Sequence, residues 1–461
     1  MFASRNRVIS YRHRALTSAL ALVVGVFAAA AYAQKYETIP VKLDPKEINR
    51  LKGDLNTALR NPAGFGASQQ AVDDYLKKGF FPQMTGTSPE SLGELAGRRQ
   101  DLFKNIAQAA NPSSQQYLIE LAYNVSRVLA RGNFHPAVRY NAVLMLGELD
   151  QQLGTATNPP VPHPKATQEL LELVEKDSFK NPAGATIPVP ESVKLGAVLG
   201  LERHTRYGVA PQLAERLTKA LLAVMASKTP EDVDADVHDW VRSSAAVALA
   251  NQYAKAPTKE IQAALTALIA DQKMELDDRC ATAGAMKKIT YAAGADIDGK
   301  ATTDALAQLT MDVITNAAKL AEDFNKEAMR STDFSSMGSS GRGGYSGRGE
   351  YGGGGRGGYG GMDDEEKGPQ FERRQLFAQL YNIAVGSSSL KAGLDDDSKA
   401  RLEELIASLG PVVQTMDAKD SAEVDVTRKV LELQATLKTL IAGWGKPVAA
   451  NDKPAEGLAT K

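Results

Sequence analysis

Histidine, cysteine and clustered acidic side chains are the residues of this chain whose types could support metal binding or catalysis. Four histidines lie well inside the chain: His135, His163, His204 and His238. None has a partner at the HxxxH or HxxE spacing that places two ligands on one face of a helix. His135 and His238 each stand in a turn predicted to precede a helix, so we expect them to cap a helix or lie in a loop.

Two acidic clusters have part of the spacing of a calcium-binding EF-hand loop. Asp232, Asp234 and Asp236 match the first three ligand positions, but Val237 stands where the tight turn needs glycine. The second cluster, at residues 296–299, places a glycine correctly and lacks ligands at both ends of the loop. The sequence therefore predicts no calcium site, and it offers no other metal-binding pattern.

The single cysteine, Cys280, lies in a stretch without a neighbouring histidine or lysine. A reactive thiol needs such a neighbour, so we interpret Cys280 as a small, buried helix residue that forms no intramolecular disulfide. The sequence contains no phosphate-binding loop, Rossmann fingerprint, serine-hydrolase elbow or haem-attachment motif. These patterns predict a protein that is not an enzyme and uses no cofactor, while a catalytic site assembled from distant residues stays open.

Residues 331–370 differ in composition from the rest of the chain. They contain repeated Arg-Gly and Tyr-Gly steps and end in the acidic run Asp363–Glu366. Because the segment has few apolar side chains to bury, we expect a disordered linker. Six of its side chains could act as weak interaction points: Arg342, Tyr345, Arg348, Tyr351, Arg356 and Tyr359. Three arginines carry too little charge for appreciable nucleic-acid affinity, so no nucleic-acid partner is expected.

The first 33 residues predict export. Four arginines precede an apolar run that ends in Ala31-Tyr32-Ala33, the small-x-small pattern of a signal-peptidase site, with Gln34 as the new N-terminus. An uncleaved membrane anchor is the alternative, because the run approaches spanning length. Cleavage would lower lysine plus arginine from 54 to 50 against 55 acidic residues, a balance that attracts neither nucleic acid nor anionic membrane. With no later apolar span, we expect a periplasmic or extracellular protein.

Beyond residue 48 the periodicity of apolar residues predicts helices almost throughout. Aromatic residues make up only 6% of the chain and alanine is abundant, which favours helices packed closely on small side chains. Ser88-Pro89-Glu90 predicts a helix start, and Thr186–Pro190 predicts an extended connector. We expect Trp240 and Trp444 to anchor helix packing rather than to stack on a sugar.

Four segments share one pattern, in which a base is followed by a small or branched apolar residue four positions later and by Leu or Met seven positions later. They are Val138–Gly147, Val193–Leu201, Val241–Leu249 and Asp278–Met286, and their bases are Arg139, Lys194, Arg242 and Arg279. These offsets place the apolar side chains on one helical face. The pattern resembles the second helix of HEAT repeats, in which a proline-led or acidic turn precedes Val-Arg and helically spaced Ala and Leu.

The resemblance implies an all-α fold, an irregular HEAT- or armadillo-like α-solenoid over residues 115–330, in which each helix pair buries its apolar stripe against its neighbours. A non-repetitive helical bundle is the alternative. An N-terminal helical segment (34–114) would precede the repeats, and C-terminal helices (371–446) and a flexible tail (447–461) would follow the linker.

A solenoid of this kind would present a surface that holds a protein or peptide partner. We therefore expect a non-enzymatic binding or scaffolding function. Two alternatives stay open, namely an envelope protein that self-associates through the glycine-rich segment and an exported helical enzyme with an unrecognised site.

Overall fold

The structure is a computed structural model that describes residues 36–337, 368–417 and 423–444, apart from 182, 232 and 255–257. Within these ranges the protein is mostly helical, with four short strands. Three sets of predicted features lie outside the described residues: the signal sequence with Ala31, Ala33 and Gln34; the interaction points Arg342, Tyr345, Arg348, Tyr351, Arg356 and Tyr359; and the tail.

The N-terminal helices are short after the first one. They are α1 (Pro45–Leu59), α2 (Gln69–Asp74), a π-helical turn (Tyr75–Phe80), α3 (Phe81–Gln83), α4 (Pro89–Gly93) and α5 (Leu95–Gln108). The predicted helix start at Ser88 is confirmed, because its side chain accepts a hydrogen bond from the backbone amide of Ser91 at 3.3 Å.

Four helix pairs follow. They are α6 (Pro112–Arg131) with α7 (Pro136–Glu148), α8 (Pro164–Glu175) with α9 (Glu191–Tyr207), α10 (Pro211–Met225) with α11 (Ala235–Gln252), and α12 (Lys259–Ala270) with α13 (Leu276–Ala285). The two helices of each pair contact one another, and α7 also packs on α9, α9 on α11 and α11 on α13. Each of the four pattern segments therefore lies on the second helix of a pair.

The last four helices continue these contacts. They are α14 (Gly299–Met337), α15 (Gly368–Leu390), α16 (Asp396–Asp417) and α17 (Glu423–Trp444). Helix α14 packs on α12 and α15 packs on α13, while α16 and α17 both pack on α14. The C-terminal helices therefore pack against the preceding helix pairs and share one hydrophobic core with them.

The predicted limits of the glycine-rich linker, 331 and 370, are wrong at both ends. Helix α14 continues to Met337 and α15 already begins at Gly368. Residues 331–337 contain no glycine or proline, and each residue added to an existing helix gains a backbone hydrogen bond without a new nucleation cost.

The four strands form two separate antiparallel pairs, β1 (Asp150–Gln152) with β2 (Val161–Pro162) and β3 (Ser178–Lys180) with β4 (Thr186–Pro188). The stretch predicted as an extended connector is thus extended, but part of it is paired. Phe179 and Ile187 lie opposite each other and are both buried, so this hairpin covers apolar side chains that an isolated connector would expose.

Small residues let the second helices approach closely. Gly147 of α7 and Gly200 of α9 face each other, and a Cβ atom added to Gly147 would lie 2.7 Å from the Cα of Gly200. No side chain fits at that distance. Because α7 is buried on most of its surface, its contacts are decided by side-chain volume rather than by an apolar stripe.

Candidate functional site

The bases of the four pattern segments, Arg139, Lys194, Arg242 and Arg279, occupy equivalent places in the four helix pairs. The Nε–H groups of three arginines donate to carbonyls in the last turn of the preceding helix: Arg139 to Ala130 at 3.0 Å, Arg242 to Met225 at 3.0 Å and Arg279 to Ile269 at 2.9 Å. The fourth base, Lys194, reaches Asp177 at 2.6 Å, just beyond the end of α8. The three arginines therefore hydrogen-bond carbonyl groups that have no partner within their own helix. Lys194 places its positive charge near the negative end of the helix dipole of α8.

We expect the substitution Arg242→Met to lower the free energy of unfolding by about 2 kcal/mol. The side chain of Arg242 pairs with Asp239 at 3.2 Å and with Asp271 at 3.0 Å, and Asp239 is buried. Loss of the arginine leaves that buried carboxylate without its cation. Urea unfolding followed by circular dichroism measures the change.

Lys194→Met is the matched control, because Lys194 has the equivalent position while the carboxylate of Asp177 is 91% exposed. A surface pair of this kind contributes less than about 1 kcal/mol. Equal losses in the two variants would contradict the importance of the buried pair.

A polar cleft lies where α13, α14 and α15 meet, and the last base of this series, Arg279, lines it. Its volume is about 480 Å³, and four amide side chains line it: Gln272, Asn316, Gln375 and Gln379. Three carboxylates and one guanidinium also line it: Glu275, Asp277, Asp312 and Arg279. The residues come from segments up to about a hundred positions apart, so no local pattern in the sequence predicts the cleft.

Hydrogen bonds hold several of the polar side chains of the cleft in place. Gln375 and Gln379 donate from Nε2 to the two oxygens of Asp277 at 2.8 and 2.6 Å. Arg279 donates from Nη1 to Asp312 at 2.8 Å. Its Nη2 atom, however, is buried and has no hydrogen-bond partner among the described residues. A buried donor without an acceptor is costly to the folded state. The atom has almost no accessible surface, so it offers no contact to a ligand in the cleft.

Arg139 also has a buried Nη2 atom without a partner among the described residues. Burial lowers the pKa of Arg139 to about 10. Unlike Arg279, Arg139 lines neither the polar cleft nor either of the two further clefts that we describe below. Among the three clefts that we describe, only the polar cleft is lined by an arginine with an unpartnered buried nitrogen.

Carboxylates crowd the side of the cleft that faces α11. Burial raises the pKa of Glu275, and the nearby carboxylates of Asp236, Asp239 and Asp278 raise it further. Burial likewise raises the pKa of Asp278, with additional increases from Asp239, Asp277 and Asp236. Negative charge is thus concentrated at the start of α13 and destabilised by its own repulsion.

Two further clefts are less suited to a polar ligand. The larger, about 860 Å³, lies between α16 and α17, and Arg401 and Trp444 line it. The other, about 410 Å³, lies between α10 and α12, and most of its lining is alanine, leucine and methionine.

The two tryptophans differ in their surroundings. Trp444 packs against the hydrophobic core and donates to Glu404 at 3.5 Å, so its predicted packing role is confirmed. Trp240 is 46% exposed, so the same prediction is wrong for it. Helix α11 contacts its neighbours mainly through small residues, among them Ala245 and Ala248, which leave no space for an indole.

The histidines serve as caps or lie in the interior. His135 and His163 accept hydrogen bonds from backbone amides at the starts of α7 and α8, which confirms the predicted capping role of His135. His204 is fully buried, and its Nδ1 atom lies 2.8 Å from the hydroxyl oxygen of Thr167. His238 lies inside the first turn of α11 and is buried, so its predicted position in a loop is wrong.

His238 belongs to a hydrogen-bonded trio that sequence reasoning missed. Its Nδ1 atom lies 2.9 Å from Glu191 Oε1, and its Nε2 atom lies 3.1 Å from Ser227 Oγ. The order hydroxyl, imidazole, carboxylate is that of a serine-hydrolase triad. Glu191 is 47 residues away in the chain, which explains why no local motif indicated the trio.

The hydroxyl of Ser227 is oriented away from this chemistry. Ser227 Oγ lies 2.6 Å from the carbonyl oxygen of Val224, which can only accept, so the hydroxyl hydrogen points there. With its hydrogen on the Val224 carbonyl, the hydroxyl cannot at the same time donate to His238 Nε2. In this arrangement the trio connects three elements by hydrogen bonds: Glu191 at the start of α9, Ser227 in the loop that follows α10, and His238 on α11.

The remaining candidate sites from the sequence also have clear positions. Cys280 is buried, and burial raises the pKa of its thiol, which confirms the interpretation as a buried helix residue. In the described part of the chain, no group of three or more His, Cys, Asp or Glu side chains is placed to hold a metal ion. No helix among the described residues is long and apolar enough to cross a membrane.

Comparisons with protein-family models, with curated proteins and with solved structures found no match to this chain. The resemblance to HEAT repeats therefore rests on the four pattern segments and on the helix pairs that carry them.

Proposed function

We propose that this protein is an exported, non-enzymatic binding or scaffolding protein that holds a protein or peptide partner on a HEAT-like solenoid. The stacking of α7, α9, α11, α13 and α15 in chain order supports the solenoid. The recurrence of a base that reaches the end of the preceding helix in each pair supports a repeated unit. Export is proposed from the basic and apolar composition of residues 1–33.

The polar cleft is the observation that carries the binding function. Polypeptide backbone presents one donor and one acceptor per residue, and an amide side chain offers both. The four amide side chains of the cleft match that pattern. A polar segment of a partner can therefore form hydrogen bonds with the side chains of the cleft.

The test is affinity capture from envelope extract with the chain from Gln34 onward. The informative variant is Gln272→Ala with Asn316→Ala, because both side chains line the cleft and are exposed, so the fold is expected to persist. We expect capture of a discrete partner to fall by at least about fivefold. Gln212→Ala, an exposed amide on α10, is the matched control and should capture as the parent chain does.

Two other results would replace the proposal. The immobilised chain could retain only further copies of itself and lose this capture when residues 338–361 are deleted. That result would favour a structural protein that self-associates through the glycine-rich segment. Labelling of Ser227 by a fluorophosphonate, lost in Ser227→Ala, would favour the enzyme instead, because it would require the hydroxyl to leave the Val224 carbonyl and engage His238.

A further inference from the structure

A cationic cluster lies along the carboxyl-terminal ends of α9 and α13. It consists of Arg206 on α9 and of Lys287 and Lys288, which belong to a 3₁₀ turn (Met286–Lys288) that directly follows α13. We propose that this cationic cluster, together with the neighbouring ring of Tyr381 on α15, binds an acidic segment of a protein partner. The cluster lies at the opposite end of α13 from the polar cleft and shares no residue with it, so this contact goes beyond the proposed function.

The elements that carry the cationic cluster are tied to one another. Asn251 on α11 donates from Nδ2 to the carbonyl of Glu202 on α9 at 3.2 Å. The backbone amide of Thr290, just after the 3₁₀ turn, donates to the carbonyl of Ala254, just after α11, at 2.7 Å. The turn also packs on α15. The cations therefore extend from a fixed backbone, which keeps their attachment points at constant spacing.

The two lysines of the cluster lack acidic partners. Among the described residues, neither Lys287 nor Lys288 forms an ion pair or a hydrogen bond through its side chain. Lys288 is half-buried, which lowers its pKa, and the charges of Arg206 and Lys287 act in the same direction. The carboxylate of Glu202 opposes them, but it already pairs with Arg206 at 3.0 Å.

This arrangement leaves positive charge that an added anion would stabilise. The dipole of α13 favours a cation at the end of that helix, which accounts for one lysine there. It does not account for a second lysine that is partly removed from water beside Arg206, because like charges in such surroundings repel one another. A carboxylate that approaches Lys287 and Lys288 relieves this repulsion and accepts charge-assisted hydrogen bonds.

The ring of Tyr381 supplies an apolar contact beside the cations. It is 48% exposed and stacks on Phe377 of the same helix with 6.3 Å between the ring centroids. The Nζ atom of Lys287 lies 5.6 Å from the centroid of the Tyr381 ring, so the ammonium group and the ring form one surface. Such a surface fits a segment in which an apolar side chain stands next to carboxylates.

The charge of the cluster favours an acidic peptide over a nucleic acid. Three cations, one of them paired with Glu202, release too few counterions for appreciable affinity to a phosphate backbone. The carboxylate of Glu202 would also repel a densely charged chain. One or two carboxylates of a peptide match the two unpaired lysines without excess negative charge.

The experiment uses immobilised pools of capped nonapeptides in which the three central positions are fixed and the others are randomised. The fixed triplets are Glu-Leu-Glu, Gln-Leu-Gln and Lys-Leu-Lys, and binding of the fluorescently labelled chain from Gln34 onward is measured. We expect the Glu-Leu-Glu pool to retain about tenfold more protein than the Gln-Leu-Gln pool. Raising the salt concentration should remove most of this preference, because screening weakens charge pairs that remain partly exposed.

The informative variant is Lys287→Gln with Lys288→Gln, which removes two charges and breaks no ion pair among the described residues, so the fold is expected to persist. It should reduce retention on the Glu-Leu-Glu pool at least about fivefold and leave the Gln-Leu-Gln pool unchanged. Lys46→Gln with Lys104→Gln is the matched control. These lysines are exposed on α1 and α5, and their loss makes the same change in net charge, so retention on both pools should stay as in the parent chain.

The aromatic contact has its own variant, Tyr381→Ser, at a position that is half exposed. It should lower retention on the Glu-Leu-Glu pool at least about twofold, because the leucine loses the ring against which it packs. Unchanged retention would overturn the contribution of Tyr381 to the site.

Three other results would overturn the acidic partner. The first is equal retention on the Glu-Leu-Glu and Gln-Leu-Gln pools, and the second is a preference for Glu-Leu-Glu that the double lysine variant keeps. The third is tighter binding of a fluorescent oligothymidylate that the same variant loses, which would assign the cluster to nucleic acid. None of these results affects the capture experiment, because Gln272 and Asn316, which it tests, line the polar cleft and do not belong to the cluster.

Discussion

Replacing Gly386 with alanine is expected to lower the free energy of unfolding by more than about 3 kcal/mol, the largest single-methyl effect in the described structure. Gly386 lies on α15, and a Cβ atom at this position would stand 1.9 Å from the carbonyl oxygen of Ala283 on α13. The neighbouring atom belongs to the backbone of a buried helix, so it cannot move aside as a flexible side chain could. The two helices would have to separate.

The measurement is urea unfolding of Gly386→Ala beside Gly53→Ala. Gly53 lies inside α1 and is exposed, and a Cβ atom there meets no other atom within 4 Å. Alanine at that position should stabilise the helix by about 1 kcal/mol, because glycine is a poor helix former. If Gly386→Ala unfolded at the same urea concentration as the parent chain, the close contact between α13 and α15 would be wrong.

Acid is expected to destabilise the protein through His204 by about 4 kcal/mol between pH 6.5 and pH 3.5. Complete burial lowers the pKa of His204 to about 3, and the charges of Arg203 and His163 act in the same direction. In the unfolded chain a histidine titrates near its ordinary value of 6.5. Between these two values the unfolded state binds a proton that the folded state rejects, so stability falls as the pH falls; above pH 6.5 the contribution is absent.

The variant His204→Gln tests this slope rather than the absolute stability. Its free energy of unfolding at pH 7 will be lower, because the contact with Thr167 changes, but it should lose about 1.4 kcal/mol less per pH unit below pH 6 than the parent chain. His135→Gln, which changes a partly exposed N-cap, is the control histidine variant. Parallel slopes for His204→Gln and the parent chain would show that His204 is not responsible.

Local signals in the sequence were sufficient for the helices and for the four related segments. The start at Ser88, the second helices with their bases and the C-terminal helices all follow from patterns that span one or two turns. For the extended connector and for Trp240, neighbours distant in the chain decided the result. Residues 186–188 pair with 178–180, and Trp240 is exposed because close contacts between helices use alanine and glycine instead.

By itself, the sequence determined the helical class of the protein, the burial of Cys280 and the positions of the repeated bases, because periodicity, capping and composition act between residues close in the chain. Only the tertiary structure decided which side chains meet. The cleft joins Arg279 to Asp312 and Asp277 to Gln379, the trio joins Glu191 to His238, and α13 touches α15 at Gly386. Such contacts depend on how each pair of helices packs on the next, and that packing is set by side-chain volumes on several helices at once.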